Sequence, residues 1–178
     1  ITADNQTIVL GSVLPPLTAT SSGFINGDNA FTSVTGVASC STSATSTNIV
    51  GAYSIICTIG TLSSDKYEFT KFATGTLTIL YRFDGFLQPI NDATYRLESE
   101  LSVFKSGSTI PVKFQLKTAS DTPVQAKTFP LWLMPERGAS MSALVDESSH
   151  AALGISGNTF RWDDTNRQYI YNWRWRDS

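Results

Sequence analysis

The sequence predicts a mainly β fold made of two small β domains in tandem, and three observations carry that reading. Residues 76 to 86 read TLTILYRFDGF, in which Leu77, Ile79, Tyr81 and Phe83 alternate with Thr76, Thr78, Leu80 and Arg82. A period of two marks a half-buried strand. Composition changes at this stretch: before it the only basic residues are Lys66 and Lys71, and every other Lys and Arg lies beyond Tyr81. The 178 residues are 41% hydrophobic, 11% aromatic and 16% charged; such a chain has apolar material for two modest cores but fewer charges than the usual ~25%. The boundary is placed between residues 81 and 82. Because no Gly, Ser or Pro run interrupts the alternation before Asp84, a stiff junction is expected there and not a loose tether.

Along residues 1–81, Thr7 to Leu10 predicts a short strand, and Gly11 to Pro16 a turn-rich break. Asn26, Gly27 and Asp28 form a turn, followed by one helical turn or an irregular edge up to Val34. Three strands are then expected, at Val37 to Ala44, Gly51 to Thr58 and Phe69 to Phe72, ahead of the strand at the boundary. The many Ser and Thr residues suit solvated strand faces.

Cys40 and Cys57 are the only cysteines. They lie in two β-like segments, without a CxxC spacing or a neighbouring His, so a structural disulfide is favoured over two buried thiols. An oxidising, extracellular environment follows. Closing a loop of about sixteen residues would stabilise a small domain by ~3 kcal/mol in the chain-entropy treatment.

Residues 82–178 begin with YRFDGF, where Phe83 and Phe86 flank an expected Asp-Gly turn, and Pro89, Asn91 and Asp92 break the chain again. LSVFKSGSTIPVKFQLK reads as a hairpin whose second strand puts Ile110, Val112, Phe114 and Leu116 on one face. Pro111 belongs near an edge or a strand start, because it has no N–H to donate. Phe129 to Pro135 predicts a buried strand. Met141, Leu144 and Val145 have helical spacing, but a polar loop fits equally.

The formal net charge is -2 and the pI about 5.3, so the chain lacks the clustered basic face that nucleic acid requires. No apolar run approaches the ~18 residues of a membrane helix, so direct membrane insertion is not expected. Ile1 is not a translation start, which suggests a processed or internal segment.

No residue pattern nominates a catalytic centre, a metal site or a cofactor. His150 is the sole histidine, and without a GxSxG elbow it reads as a surface-loop residue. Asp146 with Glu147, and Asp163 with Asp164, are paired acids without the surroundings of a calcium loop; DDTN reads as a hairpin turn. Lys113 and Asn172, with Glu98 or Glu100, could in principle form an intramolecular amide, but alternation turns Lys113 to solvent. The one suggestive constellation is Trp162 with the strand Tyr169, Tyr171, Trp173 and Trp175, flanked by Arg161, Arg174 and Arg176. Its rings share one face. Packing of that face in the core, against Phe114 and Trp132, is favoured; the alternative is a platform for a sugar or a protein partner.

Two family resemblances add to this. ITADNQT, LPPLT, SGFINGD, VGAYSIICTIGTLSSDKYEF and TGTLTI, in that order from Ile1 to Ile79, resemble the MBG domains of bacterial surface adhesins, with Leu10 where an aromatic is common. This implies a β-grasp-like spacer without chemistry of its own. GSTIPVKF, with FDGFLQPIN before it and NTFRWDDTNRQYIYNW after it, resembles the PxKF domain of secreted bacterial proteins. That implies an immunoglobulin-like β sandwich, incomplete here at its last strands. Together they imply a non-catalytic stalk segment of a secreted or cell-surface adhesin. Its partners would be neighbouring domains and an unidentified surface glycan or protein. The alternatives are a glycan- or protein-binding module using the terminal aromatics, and assembly through an open last strand.

Overall fold

The computed structural model describes residues 1–45, 47–90, 104–105, 107–131 and 158–174. These form ten strands and one helical turn: β1 (Thr2–Ala3), β2 (Gln6–Val9), β3 (Ala19–Thr20), α1 (Ala30–Ser33), β4 (Ser39–Thr42), β5 (Gly51–Thr58), β6 (Gly75–Leu80), β7 (Arg82–Leu87), β8 (Thr109–Lys117), β9 (Arg161–Asp163) and β10 (Gln168–Arg174). The fold is thus mainly β. The chain divides into two compact units, Ile1–Arg82 with Thr118–Ser120, and Phe83–Lys117 with Asp121–Ser178.

In the N-terminal unit a four-stranded sheet runs in the order β2-β6-β5-β4. Alternation decides its faces. Ile55 and Cys57 of β5, with Leu77 and Ile79 of β6, are buried, whereas Ala52, Ser54, Ile56 and Thr58 face outward. Burying each aliphatic side chain stabilises the fold by roughly 1.5–3 kcal/mol. The central pair β5–β6 is antiparallel, with Tyr53 opposite Leu77.

The edge strand β2 instead runs parallel to β6, Gln6 facing Leu77 and Val9 facing Leu80. The same register extends outward to the bridge between Thr2 and Ala73. Gly75 lies in this seam because backbone passes there: a Cβ at that position would stand 2.6 Å from the Ala3 carbonyl oxygen. At the opposite edge, Cys40 of β4 lies directly across from Cys57 of β5, and the two are disulfide-bonded. α1 is a single turn closed by a capping box, in which the Asn29 side chain accepts from the N–H groups of Phe31 and Thr32.

Two expected strands change. Phe69 to Phe72 is not a strand: Lys71 O accepts from Ile1 N, and bridging to the first residues begins at Ala73, opposite Thr2. The strand expected over Val37 to Ala44 shrinks to Ser39–Thr42, since Val37 O is taken by the Thr61 N–H and hydroxyl of a facing loop.

The boundary strand is likewise two strands. β6 ends at Leu80, β7 begins at Arg82, and they belong to different sheets. Asp84 and Gly85 lie inside β7 and are not a turn. Gly85 has φ +104°, a conformation that side-chain-bearing residues rarely adopt. It interrupts the alternation, so Phe83 and Phe86 both pack edge-on against Phe114, at 5.6 and 6.1 Å.

The C-terminal unit has a four-stranded sheet ordered β7-β8-β10-β9. β8 and β10 are antiparallel, Phe114 opposite Tyr169 and Val112 opposite Tyr171. Ile110, Val112 and Phe114 are buried as their alternation predicts. Pro111 is near the start of β8, opposite Asn172, but β8 is an interior strand and not an edge. The expected open last edge is also displaced: β10 pairs with β8 on one side and β9 on the other, leaving β7 and β9 outermost among the described residues.

Replacing both cysteines by serine should lower the stability of the N-terminal unit by roughly 3 kcal/mol, measured by urea unfolding followed through the β5 amide resonances. All four tryptophans lie beyond Leu131, so their fluorescence should report the C-terminal unit and be little changed by this replacement.

Candidate functional site

The aromatic strip of β10 is favoured by its sequence as a core face, with a binding surface as the alternative, and the structure turns Tyr169 and Tyr171 inward. Tyr169 is 0% and Tyr171 5% exposed. With Val112, Phe114 and Phe160 they make the core of the C-terminal unit, and Trp162 and Trp173 pack against that cluster while half-buried. Phe114 is the hub. Tyr169 stacks on it at 5.2 Å with planes 23° apart, and Phe160 meets it edge-on at 5.0 Å. Trp162 in turn meets Tyr169 at 5.0 Å. Each such pair contributes about 0.5–1.5 kcal/mol beyond simple burial.

The Tyr169 hydroxyl is used internally as well, accepting the Ala126 N–H at 2.5 Å. Burial raises the Tyr171 hydroxyl pKa above its usual value, as expected when an ionised form would lose its water. Tyr169 and Tyr171 therefore have no face to offer a sugar ring, which corrects their place in the candidate surface. The physical reason is register: Phe114 opposite Tyr169 puts the tyrosines on the same side as the apolar stripe of β8. Arg174 ends β10 opposite Thr109. Trp175, Arg176, Trp132, His150, Asp146, Glu147, Glu98 and Glu100 lie outside the described residues, as does the helical spacing at Met141.

An exposed aromatic pair on β7 was not indicated by the sequence reading. Phe83 and Phe86 are 50% and 40% exposed, their rings 5.6 Å apart. A cavity of about 260 Å³ beside Phe86 is lined by Asp84, Gln88, Gln115 and Lys117. Lys117 Nζ lies 3.1 Å from both Asp84 and Asp121, and these carboxylates, Asp84 foremost, raise the lysine pKa. The signal was the spacing of the two phenylalanines around Gly85, which only a positive φ converts into one shared face.

The paired acids at 163 and 164 resolve into structure. Asp163 accepts from the N–H groups of Thr165 and Asn166 through one oxygen, and from the Asn166 and Gln168 side-chain amides through the other. Asp164 accepts the Trp162 indole N–H at 2.8 Å. With this donor set, Asp163 is the bracket of the β9–β10 turn and not a calcium ligand. The turn is also fastened to β8, since the Gln115 side chain donates to the carbonyls of Asn166 and Arg167. Lys113 lies opposite Ile170, on the sheet face away from Phe114. In the N-terminal unit Asp28 accepts from the Tyr67 hydroxyl at 2.9 Å and from Lys66 at 3.2 Å. These contacts, Tyr67 first, hold its carboxyl below the usual carboxylate range.

Among the described residues no cluster of three or more His, Cys, Asp or Glu side chains converges as metal ligands do. No helix there is long and apolar enough to cross a membrane.

Residues 1–78 match the family of the MBG domain, YGX type. The comparisons give no support to a PxKF domain after it. No curated protein and no solved structure matches the chain.

Phe114→Ala should destabilise the C-terminal unit by about 3–5 kcal/mol, read from a tryptophan-fluorescence denaturation curve. The Asp163 bracket has a pH signature. Its pKa is lowered, chiefly by the Asn166 side chain and then by the Asn166 N–H, from about 3.9 in an unfolded chain. Its stabilisation is therefore fully present above about pH 4 and is lost as the pH falls through the depressed folded value. Asp163→Ala should lower the melting temperature at pH 7, and the gap from the unaltered protein should narrow in acid below that range.

Proposed function

Taking the match of residues 1–78 to a bacterial adhesin-like repeat as premise, we propose that this chain is a non-catalytic stalk segment of a secreted or surface-anchored bacterial protein. It holds other parts of that protein at a distance from the cell. The MBG match carries the reading.

Three observations support it. The Cys40–Cys57 disulfide suits an oxidising exterior. The C-terminal unit uses Phe114, Phe160, Tyr169 and Tyr171 for its core. Asp163, one of the paired acids, is engaged in fastening a turn, as Asp28 is in the N-terminal unit. On its own sequence the C-terminal unit is proposed as PxKF-like and sandwich-forming, and the N-terminal unit as β-grasp-like.

The test is replacement. In the protein that carries it, this segment would be exchanged for an unrelated β module of similar length, and adhesion of intact cells measured. Adhesion within about twofold of the original is expected for a spacer. Loss of adhesion with surface display preserved would contradict the stalk role and favour a binding module. A glycan array probed with the 178-residue chain should correspondingly remain blank.

A further inference from the structure

We propose that the N-terminal unit is built to carry tension, and that the parallel seam between its first and last segments is the element that resists it. The stalk reading above supplies the source of the load; the geometry alone supplies the resistance.

Residues 1–10 run alongside residues 71–80 in one register. Ile1 N donates to Lys71 O at 2.8 Å, Ala73 N–H to Ile1 O at 2.8 Å, and Ala3 N–H to Ala73 O at 3.0 Å. Where the ladder pauses, the Asn5 side chain accepts the Thr76 N–H at 2.8 Å. The β2–β6 pairs follow, and the seam closes with Leu10 N–H donating to Leu80 O at 2.7 Å.

Direction is the decisive feature. Both segments run the same way, so the chain enters the seam at one end, at Ile1, and leaves at the other, at Leu80. A pull between residues 1 and 82 therefore slides the strands along their common axis. Hydrogen bonds between parallel strands are evenly spaced and run obliquely across that axis, so under shear they share the load and yield together before the strands part. Had the strands been antiparallel, the same pull would have opened them one pair at a time. The apolar side chains of the seam, Ala3, Leu10, Leu77 and Ile79, are buried, which keeps water from replacing the bonds as they stretch.

The experiment is single-molecule force spectroscopy on the full chain, with handles at residue 1 and residue 82, and in a second preparation at residue 12 and residue 82. The second geometry grips β2 and β6 at the same end and peels the same bonds in turn. The unfolding force is expected to be at least about threefold higher in the first geometry, because many bonds of similar strength share the load at once. Asn5→Ala should lower the first force and leave the second unchanged. Reduction of the disulfide, which joins residues 17 apart in sequence, should lengthen the first-geometry step by about 60 Å, showing that failure of the seam releases the whole unit.

Equal forces in the two geometries, or a step length indifferent to reduction, would overturn the proposal. Either result would leave the stalk reading standing, since that is judged by adhesion after replacement of the segment. A directional force with adhesion lost on replacement would keep the clamp and remove the stalk.

Discussion

The N-terminal unit depends on one constraint: its first ten residues must find the ten that precede residue 81 and lie parallel to them. Parallel neighbours cannot be joined by a tight turn, so the whole unit is the connection between them. Everything else in the unit is arranged on that pair. β6 gives its other edge to β5, β5 gives its other edge to β4, and the disulfide ties β4 to β5 at the side farthest from the seam. One edge of the sheet is thus held by chain direction and the other covalently. Between them only a thin apolar layer is needed, and Ile55, Leu77 and Ile79 supply most of it.

The C-terminal unit is organised by aromatic packing instead. Phe114 touches rings from β7, from β10 and from the residue before β9, namely Phe83, Phe86, Tyr169 and Phe160. A single side chain in the middle of β8 thereby joins rings from most of the sheet into one core. The Asp163 bracket and the Gln115 contacts then fix the β9–β10 turn with hydrogen bonds alone.

Periodicity made several elements legible in the sequence. The strand at Gly51 to Thr58 was legible, as was the alternation that sets Leu77 and Ile79 on one face, and DDTN named its turn because Asp and Asn side chains bond to nearby backbone. The tyrosine face of β10 was legible as the favoured core face, and the register that sets Tyr169 opposite Phe114 shows why Tyr169 and Tyr171 are buried. Long-range pairing was also invisible. Nothing local in ITADNQTIVL announces a parallel partner some seventy positions away, and the seam's special residue, Gly75, is explained only by the Ala3 carbonyl against it. The Asp-Gly at 84 and 85 carried a turn signal, yet the positive φ of Gly85 was spent inside a strand, bringing Phe83 and Phe86 together at the surface.

The seam is held as firmly as the interior of the N-terminal sheet, although β2 is an edge strand. Native-state hydrogen exchange measures this directly. The amides of Ala3, Leu10 and Ala73 are predicted to exchange only through global unfolding of the unit, with the same denaturant dependence as the interior amides of β5. Exchange of these three by local fraying, at a free energy well below that of β5, would contradict it.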